Sequence, residues 1–187
     1  MPRLASGKFS PLITRRAFTL VELLVVIAII GLLSSVAVVS LSGARIKARD
    51  AKRLADIAQI RKALELYYAD NNQYPASGGA VSPNNVWTNS IDSSWATFQT
   101  ALAPYLAVLP KDPIQSASGF PSDPNIYGYG YFSIGYGCDR QWYMMVYRLE
   151  AGDGLVDRAV RACDGSLFAY GDVVNPSKVK TVGQVAK

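Results

Sequence analysis

Residues Phe18 to Asp70 read FTLVELLVVIAIIGLLSSVAVVSLSGARIKARDAKRLADIAQIRKALELYYAD, and they lie inside a 63-residue stretch, 12 to 74, that contains no proline. A gap of that length in a chain with 10 prolines predicts a long helix, because proline removes a helical donor and clashes with the preceding turn. The stretch has two halves. From Phe18 to Val39 the only ionisable group is Glu22, and about 20 apolar residues at roughly 1.5 Å rise span a bilayer core of about 30 Å. From residue 40 the pattern turns amphipathic. Ile46, Leu54, Ile57, Ile60, Leu64, Tyr67 and Tyr68 recur at steps near three and four, and Arg45, Lys47, Arg49, Lys52, Arg53, Asp56, Arg61 and Glu65 fill the other faces. Asp70-Asn71-Asn72-Gln73-Tyr74-Pro75 supplies the stop, so the sequence predicts one helix from about residue 19 to 70. A hinge near Ser40 to Gly43 is the alternative.

Working outward, residues 1 to 17 carry Arg3, Lys8, Arg15 and Arg16 and no acid, which is most of the formal net charge of +5. From residue 71 onward nine acids face eight bases, so the basic excess is confined to the N-terminal part and gives no electrostatic funnel for nucleic acid. A basic start before an apolar run also fits a cleaved secretory signal, with Ser35-Val36-Ala37 or Ser42-Gly43-Ala44 as small-residue cleavage sites. The continuing amphipathic helix argues against it. Arg45, Lys47, Arg49, Lys52 and Arg53 follow the span as closely as the leader's bases precede it, so loop charge leaves the orientation near a tie. There is no histidine, which removes the histidine-based nucleophile pairs and zinc sites, and two cysteines are too few for a four-thiolate site. No catalytic residue, metal site or cofactor is expected.

Residues 71 to 125 are rich in Ser, Asn, Gly, Pro and Thr and read as loop around one short helix, Trp95 to Leu102, with Ser94 as its N-cap. Ile126 to Gly137 and Gln141 to Leu149 read as strands joined by a Gly-Cys-Asp-Arg turn, with a third strand over Ser166 to Tyr170. Cys138 and Cys163 fall at strand edges, in the part expected outside the cytoplasm, where pairing is the simpler reading and two buried free thiols the other. Three further patterns are weaker. Gly128, Gly130, Gly135 and Gly137 imitate a phosphate loop but alternate with aromatics, with no helix start after them. Glu150, Asp153 and Asp157 offer carboxylates for calcium without the EF-hand spacing. Tyr127, Tyr129, Tyr131, Trp142 and Tyr143 could stack on single-stranded DNA, although a core or subunit-packing role suits their apolar setting better.

The string Arg15-Arg16-Ala17-Phe18-Thr19-Leu20-Val21-Glu22, followed by an apolar run with Gly31 inside it, resembles the prepilin N-terminus of type IV pilins and type II secretion pseudopilins. The resemblance covers about residues 14 to 70. It implies an α+β fold, with the long N-terminal helix packed on a small antiparallel sheet head. It implies a basic leader 1–17 removed by a prepilin peptidase between Ala17 and Phe18, N-methylation of Phe18, a transmembrane helix half 18–39, an amphipathic half 40–70 and a head 71–187. It also implies assembly with copies of itself or related pilins by inner-membrane machinery, from the lipid bilayer into an extracellular or periplasmic filament. Ala17 stands where the family usually has glycine, and Val39 where many pilins have proline. Glu22 would be the assembly residue. A carboxylate inside a span costs several kcal/mol unpaired, and the free amine of Phe18 on a neighbouring subunit would be a fitting counter-charge. The opposing reading is a membrane-anchored or secreted binding protein whose head acts alone.

Overall fold

The computed structural model describes residues 18–78, 87–119, 126–152, 159–170 and 178–186, with the side chains of 36–40 also left aside. The chain divides at Ser42 and Gly43 into two compact units. Helix α1 (Leu20–Asn71) is assigned without interruption across that boundary, within a residue of the predicted ends. Its C-terminus follows from residue chemistry: Asn72 takes a left-handed φ of 53° and donates its N–H to the Tyr68 carbonyl, closing the helix as asparagine can.

In the first unit every described side chain from Phe18 to Ser35 is exposed. Among the described residues no helix is long and apolar enough to cross a membrane. The last four residues of the predicted span, 36–39, lie outside the described side chains, and the described apolar run ends at Ser35.

The second unit is built on a four-stranded antiparallel sheet in the order β1-β2-β3-β6. Its strands are β1 (Thr88–Asn89), β2 (Gly130–Phe132), β3 (Trp142–Arg148) and β6 (Val179–Val185), and a separate hairpin pairs β4 (Val160–Arg161) with β5 (Leu167–Phe168). β3 is buried along its whole length, and its alternation serves two cores. Tyr143, Met145 and Tyr147 meet Ile57, Ile60 and Leu64 of α1 and Trp95, Phe98 and Leu102 of helix α2 (Ser94–Leu102). Trp142, Met144 and Val146 meet Trp87, Phe132, Val160 and Val179 on the other face.

Several expectations need correction. Ser94 is inside α2: its hydroxyl accepts the Asn89 N–H, and the Asp92 carboxylate takes the Ser94 N–H instead. The first predicted strand shrinks to β2, because Gly135, Tyr136 and Gly137 all adopt positive φ and turn the chain early. The strand expected over 166–170 forms as β5 and joins β4 rather than the main sheet. β6, which completes that sheet, was not expected, and Gly183 sits where an added Cβ would overlap the Tyr143 carbonyl. On α1, Arg53 and Asp56 are buried and Leu54 is exposed, the reverse of the predicted faces.

Candidate functional site

At the start of α1 the sequence Thr19-Leu20-Val21-Glu22 forms a reciprocal cap. Glu22 Oε2 accepts from the Thr19 N–H at 2.9 Å and the Thr19 hydroxyl at 2.8 Å, and the Glu22 N–H reaches Thr19 Oγ1 at 3.2 Å. Helix starts leave their first N–H groups without partners, and a Thr followed three residues later by Glu meets two of them at once. The signal was present in the sequence. It changes the reading of Glu22, which accepts from local neutral donors and has no ion-pair partner among the described residues. Phe18 beside it is 78% exposed. Ala17 lies outside the described residues.

The second constellation joins α1 to the head around Arg53, whose side chain is fully buried. Its guanidinium grips Asp112 in two parallel bonds, Nε to Oδ2 at 2.6 Å and Nη2 to Oδ1 at 2.9 Å, while Nη1 donates to Asp50 at 2.7 Å and Glu150 at 2.6 Å. Asp50 in turn accepts the backbone N–H groups of Glu150 and Ala151 at 2.8 and 2.9 Å. Arg49 forms a second fork on Glu150. One turn on, Asp56 accepts from the Tyr129 hydroxyl at 3.0 Å and from Lys52. Burial works against the charge on Arg53, and the bonds to Asp112, Glu150 and Asp50 outweigh it, holding its pKa above the ordinary value. The Arg49 fork, opposed by burial and aided by Arg53, holds the Glu150 carboxyl below its usual range. Nothing in the sequence announced this clamp, since Arg53 and Asp112 are 59 residues apart.

Such a cluster is a fastening: its donors and acceptors are turned to one another. Glu150, one of the carboxylates considered for calcium, is committed to two arginines, and Asp153 and Asp157 lie outside the described residues. Among the described residues no group of three His, Cys, Asp or Glu is placed to hold a metal. The aromatics considered for DNA are largely interior: Tyr129, Tyr131, Trp142 and Tyr143 are buried, and the Tyr127 ring has the guanidiniums of Arg53 and Arg148 over it at 4.9 and 5.2 Å. Gly128 packs against the Ile91 side chain, and Gly130 is in β2, so the glycine pattern serves packing. Cys138 and Cys163 are joined in a disulfide across 25 residues, with Cα atoms 5.8 Å apart. A loop of that size is stabilised by roughly 3 kcal/mol in the chain-entropy picture.

Comparison with known proteins bears on the N-terminal part. The family model of the prokaryotic N-terminal methylation motif matches residues 14–38. The type II secretion system core protein G of Pectobacterium carotovorum is 44% identical over 63 residues, covering 34% of this chain and 40% of that protein. The same core protein of Vibrio cholerae is 33% identical over 96 residues, 51% of this chain and 63% of that one. The type IV wide pilus major component PilA4 of Thermus thermophilus is 36% identical over 86 residues, 42% of this chain and 66% of that one. This chain thus matches less than two thirds of the length of each of these relatives. No solved structure is significantly similar to it. The methylation motif at residues 14–38 and the matches over the N-terminal part make the chain similar to type II secretion pseudopilins and to a type IV pilin, and its long helix and small antiparallel sheet are consistent with that likeness.

Proposed function

We propose that the chain is a prepilin-like structural subunit, cut between Ala17 and Phe18, N-methylated at Phe18 and assembled into a type IV pilus or type II secretion pseudopilus. The observation that carries this reading is the N-terminal run itself. Residues 14–38 match the methylation motif, and within them the side chains described from Phe18 to Ser35, largely apolar, all stand exposed. So much apolar surface at the start of one helix needs cover, which lipid supplies before assembly and neighbouring helices after it. The leader 1–17 keeps its bases on the cytoplasmic side for the peptidase, residues 18–39 hold the subunit in the inner membrane, and the head 71–187 lies beyond it. The role is mechanical and involves no catalysis: the clamp on Arg53 gives a head that stays fixed on the amphipathic half of its helix.

Glu22 is the residue that tests assembly separately from processing. Recognition by the peptidase depends on Arg16-Ala17-Phe18, whereas a counter-charge on a neighbour's amine matters only when subunits meet. Glu22→Val makes the span more compatible with lipid by about 2.5 kcal/mol. The variant is expected to be cut and to remain in the membrane, yet to stay out of filaments sheared from cells. Ala17→Asp is expected instead to leave an uncut, membrane-held precursor. Filaments of normal abundance from Glu22→Val would contradict the assembly role and favour a head that works alone on its anchor.

A further inference from the structure

The sheet face opposite α1 carries a cavity of about 510 Å³, within the range of small-ligand sites. Buried Trp87, Phe132 and Met144 form its floor, and Tyr136, Tyr170 and Asp139 stand at its edge. The rings are inclined to one another: Trp87 and Tyr170 at 85° with centroids 5.5 Å apart, Trp87 and Phe132 at 49° and 5.0 Å, Phe132 and Tyr136 at 54° and 5.9 Å. Inclined rings make a bowl, whereas a collapsed stack would leave no room.

Among the described residues the bowl's lining has one ionised group, Asp139, and no base. Asp139 Oδ1 accepts the Gly135 N–H, which fixes the carboxylate at the edge, and among the described residues nothing donates to Oδ2. Aromatic faces carry negative quadrupole charge, so rings and carboxylate together attract a cation and repel an anion. A neutral apolar ligand would desolvate the carboxylate without giving it a partner. A sugar would need a fan of hydrogen-bonding groups, where the described lining side chains are mainly aromatic and apolar around a single carboxylate. We propose that this bowl binds a primary ammonium on an alkyl stem, the chemistry of a lysine side chain presented by a partner polypeptide. The stem packs on Trp87 and Met144, and the ammonium donates to the open oxygen of Asp139 while facing the rings. A quaternary ammonium has no N–H to give that oxygen. The proposal does not depend on the filament reading.

The test uses the full chain in maltoside micelles with its three tryptophans replaced by fluorotryptophan, observed by fluorine NMR during titration with Nα-acetyl-lysine methylamide. The expected result is a saturable shift of the Trp87 resonance while that of Trp95, in the core on the α1 side, stays still. The norleucine analogue, equal in shape and uncharged, should bind about tenfold more weakly. Asp139→Asn keeps an oxygen for the Gly135 N–H and removes the charge, and it should cost a similar factor with the Trp95 resonance unmoved. Equal binding of the norleucine analogue, tighter binding of choline than of the lysine compound, or a shift that never saturates would each overturn the proposal.

Discussion

Glu22 closes a cap and, in the proposed filament, would supply a charge, and a valine substitution removes both together. Its carboxylate closes the cap on Thr19, and its negative charge is what a neighbouring amine would seek. A glutamine at the same place can still accept the Thr19 bonds, because the reciprocal cap works with Glu or Gln at the third helical position. Glu22→Gln therefore keeps the helix start and loses the charge, and Thr19→Val does the opposite. If the charge governs assembly, Glu22→Gln should reduce filaments as severely as Glu22→Val, and Thr19→Val should leave most of them. Counting sheared filaments from the three strains decides it. Filaments from Glu22→Gln at normal abundance would show that the cap, with its contribution of about 1 kcal/mol, is what Glu22 supplies.

Helix α1 shows how far a pattern of apolar spacing reaches. Its ends were legible within a residue because the proline gap and the Asn71-Asn72 stop are local signals, and the core positions Ile57, Ile60 and Leu64 were legible from their spacing. The placement of Arg53 was not. A charged residue reads as solvated unless its partners are known, and here they come from Asp112 and Glu150, far along the chain. The short strands were partly hidden for a similar reason: β6 alternates weakly in sequence and owes its existence to pairing with the fully buried β3. The clamp is testable as an element. Arg53 is the counter-charge of buried Asp50 and Asp112, and its removal leaves both carboxylates uncompensated, so Arg53→Met should cost about 3 kcal/mol in denaturant unfolding. Replacing Asp112 as well, in Arg53→Met with Asp112→Asn, should recover part of that loss. A double variant less stable than the single one would show that Asp112 holds the head through its bond from the Ile114 N–H more than through Arg53.

At the scale of the molecule the chain is two compact units with different solvents in prospect: an N-terminal helical unit whose described apolar side chains are bare, and a head with two cores, an ionic clamp and a disulfide. The N-terminal unit was the more legible in sequence, because its message is composition and a short motif. The head's bowl was not legible, since Trp87, Asp139 and Tyr170 come together only through the sheet. The proposed filament role requires above all a cut before Phe18. Mass spectrometry of the amino-terminal peptide of the mature protein, purified from its own membranes, tests that claim most directly. A mature subunit of a filament should begin at Phe18 with one methyl group on its amine; a mature chain beginning at Met1, at Val38 or at Arg45 would contradict the filament role.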